Sequence, residues 1–176
     1  MFLYSDSMVT DAFSMANEAH AGQRRKYTGE PFIAHPVRVA IKVMSVCNDP
    51  TVIAAALLHD VVEDTDVTID RVMHEFGAGV ARLVAAVTNV VENDGSVPRR
   101  VKFETNLKHL AAAPSDAQTI KFADMLDNVP SIVLHDSKFA SVYIPEKIMV
   151  LGILKEGDPT LRAELEGYLA RLVMEL

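Results

Sequence analysis

The sequence points to an all-α fold, a helical bundle forming a single domain over residues 1–176, on three grounds. Apolar residues recur three and four positions apart along most of the chain, the period of a helix with one buried face. Strictly alternating runs of β-branched residues, the mark of half-buried strands, do not occur, and neither does an internal repeat. Gly, Pro, Asn and Asp cut the chain into pieces of helical length. At 176 residues, 49% apolar and 23% charged, the chain suffices for one substantial core and is short for two.

The elements follow in order. Residues 6–21 place Ala12, Phe13, Ala16 and Ala19 at helical spacing, and Gly22, Gly29 and Pro31 then mark "GQRRKYTGEP" as a loop. A second helix starts near Pro36, turns Val37, Ala40, Ile41 and Met44 inward, and ends at "CNDP". A third runs from about Thr51 to Val62. Thr68 is placed to cap a short helix ending near Gly77, and "GVARLVAAVTNV" supplies another that is apolar nearly all round. "ENDGSVP" is a loop before an amphipathic helix over residues 99–112. A helix containing "AQTIKFADMLDNV" comes next, and two more, around 138–155 and 159–175, are parted by "EGDP".

A formal net charge of −7 is against a protein that works by neutralising a nucleic-acid backbone, which needs clustered excess Lys and Arg. It leaves room for a local basic pocket that takes a small anion. Cys47 is the single cysteine and has no internal disulfide partner, and no secretory signal pattern opens the chain, so a reducing cytoplasm is expected. The longest apolar runs, "VIAAALL" and "IMVLGIL", fall well short of the ~20 residues of a membrane span, and no membrane association is expected.

The chemistry is concentrated in "ALLHDVVEDT", Ala56 to Thr65, where an apolar run ends in His59, Asp60, Glu63 and Asp64. Burying unpaired charge is costly, so such a cluster needs compensation. On one continuous helix, His59 with Glu63, Asp60 with Glu63 and Asp60 with Asp64 share a face, and three carboxylates so placed repel unless a cation sits among them. A His-Asp pair offers a nitrogen and an oxygen to a metal, half of a four-ligand set. A helix end emerging at the surface also accounts for the pair on its own, since His is favoured near a helix C-terminus. Two further elements weigh for the metal. Upstream, "GEPFIAHPVRVA" puts His35 at the start of a helix. Downstream, "IKFADMLDNV" sets Asp124 in an apolar helix, with Lys121 three residues before and Asn128 four after on one face. Two His and two Asp suit a borderline divalent ion, with positions left for water and phosphate oxygens.

The order H…HD…D at these intervals resembles the signature of the HD superfamily of metal-dependent phosphohydrolases. Within it, the chain is similar to the hydrolase domain of the Rel/SpoT stringent-response enzymes and to the stand-alone small alarmone hydrolases. The matching stretches are "HAGQRRKYTGEPFIAHP", "AALLHDVVEDT", "FGAGVARLVAAVT" and "IKFADMLDN", and HD followed by ED is far more specific than HD alone. The catalytic motifs fall within residues 20–134. Residues 135–176 carry no recognisable catalytic motif, and their apolar spacing suggests packing on the catalytic bundle or a homo-oligomer interface.

The resemblance implies that His35, His59, Asp60 and Asp124 bind Mn2+, other divalent ions being compatible with the same donors. It implies that Glu63 and Asp64 jointly serve the water that attacks the 3′-pyrophosphate of guanosine 3′,5′-bis(diphosphate), releasing pyrophosphate and GDP or GTP. A carboxylate near the metal can orient that water or accept its proton. Arg25 and Lys26 match a nucleotide clamp, a flat guanidinium for the purine and a point charge for phosphate. Taken without their neighbours, three consecutive basic residues also read as a solvated loop. Asn128 matches a ribose contact, Ser131 a hydroxyl near the nucleotide, and Lys121 either a phosphate contact or the partner of a carboxylate. His20 and His74 are expected as structural hydrogen-bonders, and His109 and His135 as surface or structural residues.

Two departures stand out. Met125 occupies a position that is commonly basic in the family, and Pro130 is expected to kink or end the helix just past Asn128. There is no room for a nucleotide-synthesising domain, so a complete chain is expected to degrade the alarmone and not to make it. The competing readings are an HD phosphohydrolase acting on an adenine analogue or another nucleotide, and a nucleotide sensor that retains the fold without catalysis.

Overall fold

The computed structural model describes residues 3–91, 95 and 97–175, and among these the chain is helical, with no strand beyond an isolated bridge between Arg24 and Pro31. The helices are α1 (Leu3–Ala19), α2 (Ala34–Met44), α3 (Pro50–Leu57), α4 (Val61–Asp64), α5 (Ile69–Val87), α6 (Arg99–Ala111), α7 (Ser115–His135), α8 (Ser137–Ile153) and α9 (Pro159–Glu175). The expected loop "ENDGSVP" falls for the most part outside the described residues. No helix of the described residues is long and apolar enough to cross a membrane.

The most apolar stretch becomes the centre. The Asp49 carboxylate accepts from the Thr51 N–H at 2.8 Å and Pro50 takes the first helical position, so α3 starts sharply. Val52 to Leu57 are all buried, because α1, α2 and α5 pack around them. The expected single helix from Thr51 to Val62 does not form. It stops at Leu57, Leu58 leaves helical geometry (φ −100°, ψ 3°), and α4 restarts at Val61. Neither Gly nor Pro marks this break. Leu58 and Val61 are fully buried on its two sides, and burying both fixes the turn between them.

Elsewhere the departures are smaller. On α2 the inward face is Val39, Ala40 and Val43 with His35 and Pro36, because α3 and α7 pack on that side. Ile41 and Met44, expected inward, are exposed. The expected stop and restart near Gly77 appears as a kink inside α5, at φ 81°, a left-handed conformation that favours glycine. Pro130 does not end α7, which continues to His135. Val129 and Ile132, buried on either side of it, hold the helix in place despite the missing N–H.

Helix α7 packs against α2, α5, α8 and α9 and so ties the C-terminal helices to the rest. Its buried Gln118 accepts from the N–H groups of Glu156 (2.8 Å) and Gly157 (3.3 Å) and donates to the Ala113 carbonyl. Thr119 Oγ1 accepts from the Asp158 N–H, and Asp158 in turn accepts from Thr160 and Leu161 at the start of α9. A Cβ at Gly157 would lie 2.5 Å from Phe122 Cε2 and 3.0 Å from Gln118 Cβ. Gly157→Ala is therefore expected to destabilise the fold by about 1–3 kcal/mol, the usual range for overpacking, read as a lower midpoint in urea at unchanged slope.

Candidate functional site

The break after α3 lifts His59 and Asp60 out of helical register, so His59 and Glu63 do not share a face as expected. Instead the break aims the pair at His35, in the first turn of α2, and at Asp124, midway along α7. His35 Nε2 lies 3.4 Å from Asp60 Oδ2 and 3.4 Å from Asp124 Oδ1. His59 Nε2 lies 3.2 Å from Asp60 Oδ1 and 3.9 Å from Asp124 Oδ1. The donor atoms of His35, His59 and Asp124 all fall within 4.8 Å of one another, and Asp60 sets one oxygen against each imidazole. Among the described residues, both Nε2 atoms are buried without a hydrogen-bond partner. Buried polar atoms rarely stay unsatisfied, and two imidazole nitrogens facing two carboxylates fit the donor set of a divalent cation. The opposite nitrogens are engaged: His59 Nδ1 with the Ala56 carbonyl (2.8 Å) and His35 Nδ1 with Asp127 Oδ2 (2.6 Å).

The electrostatics describe a cluster that demands positive charge. Burial acts to lower the His35 pKa, but Asp124, Asp127 and Asp60 outweigh it and push it up to about 11. His59 is raised in the same way, burial being overcome by Asp60 and Asp124. Burial works against charge on Asp60 and Asp124 as well, yet His59 and His35 hold Asp60, and Lys121 with His35 hold Asp124, well below the carboxylate range. Lys121 Nζ sits 2.8 Å from Asp124 Oδ2, so of its two expected roles the carboxylate pairing is the one the structure displays.

The two acidic residues of α4 differ. Both oxygens of Glu63 accept from Asn89, one from the side-chain amide and one from the backbone N–H at 3.2 Å. The Asp64 carboxylate has no hydrogen-bond partner among the described residues. Although exposed on one side, its carboxyl is pushed up to about 6, first by partial burial and then by repulsion from Asp60 and Glu63. Gln23 donates to the Asp64 carbonyl (2.9 Å) and bonds His20 Nδ1 (2.8 Å), tying the basic loop to this pair and giving His20 the structural bond expected of it.

Arg25 and Asn128 join the cluster directly. Arg25 Nη2 donates to Asn128 Oδ1 at 2.6 Å, and Asn128 donates to Asp124 Oδ1. They line a pocket with Lys26, Tyr27, Phe32 and Ile132. Lys26 turns outward, 74% exposed, to Asp136 Oδ2 at 3.5 Å, while the Tyr27 hydroxyl donates to the same carboxylate at 2.9 Å. Ser131 is half-buried; its carbonyl accepts from His135, and it does not line that pocket. A second cleft beside Lys121 is lined by Asn89, Arg99, Lys102 and Lys147. Burial and the nearby Lys121 pull Lys147 down to about 8. Met125 is fully buried in the core. The sequence alone did not single out Asn89, Lys147 or Asp127. Asp127 had a signal, since it stands three residues after Asp124 and next to Asn128 on the same helix.

Residues 12–143 match the HD domain family. The chain is 38% identical over 129 residues to guanosine-3′,5′-bis(diphosphate) 3′-pyrophosphohydrolase MESH1 of Danio rerio, covering 71% of this chain and 69% of that protein. It is 39% identical over 127 residues to guanosine-3′,5′-bis(diphosphate) 3′-pyrophosphohydrolase of Aquifex aeolicus, covering 70% of this chain and 18% of that one. The chain thus spans about a fifth of the length of such long relatives. A solved structure described as a metazoan ortholog of SpoT that hydrolyzes ppGpp superimposes over 97% of both chains, with a TM-score of 0.83 at 28% identity.

Proposed function

The chain belongs to the HD domain family, and from that footing we propose that it hydrolyses the 3′-pyrophosphate of guanosine 3′,5′-bis(diphosphate) and its 5′-triphosphate counterpart, using Mn2+. The observation that carries the reading is the unbroken contact from nucleotide pocket to metal donors, Arg25 to Asn128 to Asp124. His35, His59, Asp60 and Asp124 would hold the ion, which when bound would supply charge to polarise a phosphoryl oxygen and lower the pKa of nearby water toward neutrality. Asp64, whose carboxylate is free, accepts the proton of the attacking water, and Glu63, tethered by Asn89, orients that water. The water oxygen bonds to phosphorus as the P–O3′ bond breaks, and the electron pair leaves on O3′, which takes up a proton from solvent as Asp64 later returns its own. Lys121, Arg99, Lys102 and Lys147 line the cleft that takes the 3′-diphosphate and balance its negative charge as it passes from O3′ to the water oxygen. Arg25 stacks on the purine and Asn128 meets the ribose, with Lys26 at the pocket's outer edge and Ser131 one turn along α7 from Asn128, outside the pocket lining. Helix α8 thereby serves the phosphate side of the catalytic domain through Lys147.

The test is pyrophosphate release across a panel of guanine and adenine nucleotides bearing 3′-phosphates, with Mn2+ and with chelator. Release from the guanine alarmones, lost on chelation and restored by Mn2+, is the expected result. A protein that takes up Mn2+ and turns over neither guanine alarmone overturns the reading.

A further inference from the structure

One half-buried carboxylate has no part in the reaction outlined above, yet it makes one of the shortest contacts to the metal cluster. Asp127 lies one turn after Asp124 on α7, and its Oδ2 is 2.6 Å from His35 Nδ1. Its other oxygen accepts from Arg38 Nε at 2.5 Å, and Arg38 Nη2 reaches back to Oδ2 at 3.2 Å. Arg38 is held from outside by Glu30, whose two oxygens accept from Nη1 (3.1 Å) and Nη2 (2.8 Å). The Arg25 guanidinium stands 4.0 Å from Oδ2 on the nucleotide side. A chain of polar contacts therefore runs from the surface, Glu30 to Arg38 to Asp127, and ends on an imidazole that is fully buried.

We propose that Asp127 is a positioning residue for the metal centre, holding the Nδ1–H of His35 so that Nε2 presents its lone pair to the ion. Kept ionised by a guanidinium that donates to both its oxygens, Asp127 can only accept from His35, so Nδ1 keeps its proton and Nε2 is the nitrogen that would give up its own to a metal. An imidazole that hydrogen-bonds a carboxylate is also a stronger ligand than one bonded to a neutral carbonyl. His59 has only the neutral carbonyl of Ala56 behind it, so the two histidine ligands are unequal and His35 is the stronger. Arg38 and Glu30 fix the angle from which Asp127 approaches. The inference rests on the metal site proposed above and not on the identity of the nucleotide.

The test reads metal binding alone. Chelator-treated wild-type protein, Asp127→Ala, Asp127→Asn and Arg38→Gln are titrated with Mn2+ by calorimetry, and each is loaded with Co2+ for its visible absorption, with helicity followed by circular dichroism. Asp127→Ala is expected to bind Mn2+ about 10- to 100-fold more weakly, the range found when the partner of a metal-bound histidine is removed, with altered Co2+ bands and retained helicity. Asp127→Asn, which keeps an acceptor oxygen but loses the charge, is expected to fall between it and wild type, and Arg38→Gln to show a smaller loss in the same direction. If Asp127→Ala fails to fold, the near-isosteric Asp127→Asn decides. Wild-type Mn2+ affinity and Co2+ bands in folded Asp127→Asn and Asp127→Ala overturn the proposal, as does a wild-type protein that takes up no divalent ion. Absent nucleotide turnover with intact metal binding counts against the assigned reaction and leaves this outcome unchanged.

Discussion

Asp64→Asn is expected to lower kcat by about 10^2- to 10^4-fold, the usual contribution of a positioned general base, with KM and Mn2+ affinity close to wild type. Asparagine matches the side chain in size and cannot take a proton. Asp64 accepts a proton only where it is ionised, so the wild-type rate rises with pH along a limb lying at or below about 6, because a nearby cation draws the carboxyl down. The variant loses that limb. The sign on stability runs the other way. The folded value of Asp64 is raised from 3.8 to about 6, so its contribution to stability is present on the acid side and is lost as pH rises through the folded value. At pH 7.5 the metal-free variant is thus expected to unfold at or above the wild-type temperature while turning over far more slowly. Pre-steady-state and steady-state rates against pH, beside thermal melts, check both halves; an unchanged kcat removes Asp64 from the role.

His59→Ala is expected to abolish turnover, by at least about 10^3-fold, and to erase stabilisation by Mn2+. An ion that binds only the folded chain at 100 times its Kd stabilises it by about 2.7 kcal/mol, which for a chain of this size raises Tm by about 5–11 °C. The variant lacks one buried nitrogen of the donor set and is expected to show no such rise, with helicity retained, since α3 and α4 are anchored by Leu58 and Val61. Melts with and without Mn2+ check this; a wild-type-sized rise in the variant places the ion elsewhere.

The helices were legible because their signals are local. Thr68 caps α5 as its sequence position suggests, and Gly77 kinks where a left-handed residue is needed. The break before His59 was not legible. It depends on what Leu58 and Val61 are buried against, and no residue in "ALLHDVV" forbids a continuous helix. The donor residues could be named before the fold was known because their types are scarce in apolar surroundings and their order matches a family. Their geometry could not, because helical spacing paired His59 with Glu63, whereas past the turn Glu63 accepts from Asn89. Asn89 and Lys147 carry no motif and are brought to the cleft only by the packing of α5 and α8. Ile41 and Met44 were placed inward by period alone, which fixes a stripe and not which edge of it faces the core.

The imidazole nitrogens that face away from the proposed metal site have unequal origins. That of His59 meets a main-chain carbonyl, which is there whatever side chain stands at Ala56. That of His35 meets a carboxylate and lasts only while an acid occupies Asp127. One ligand is inherited with the turn and the other is written in a single codon. Drift or design within this scaffold can therefore retune the ion's grip through His35 by degrees, while His59 stays fixed for as long as the chain folds.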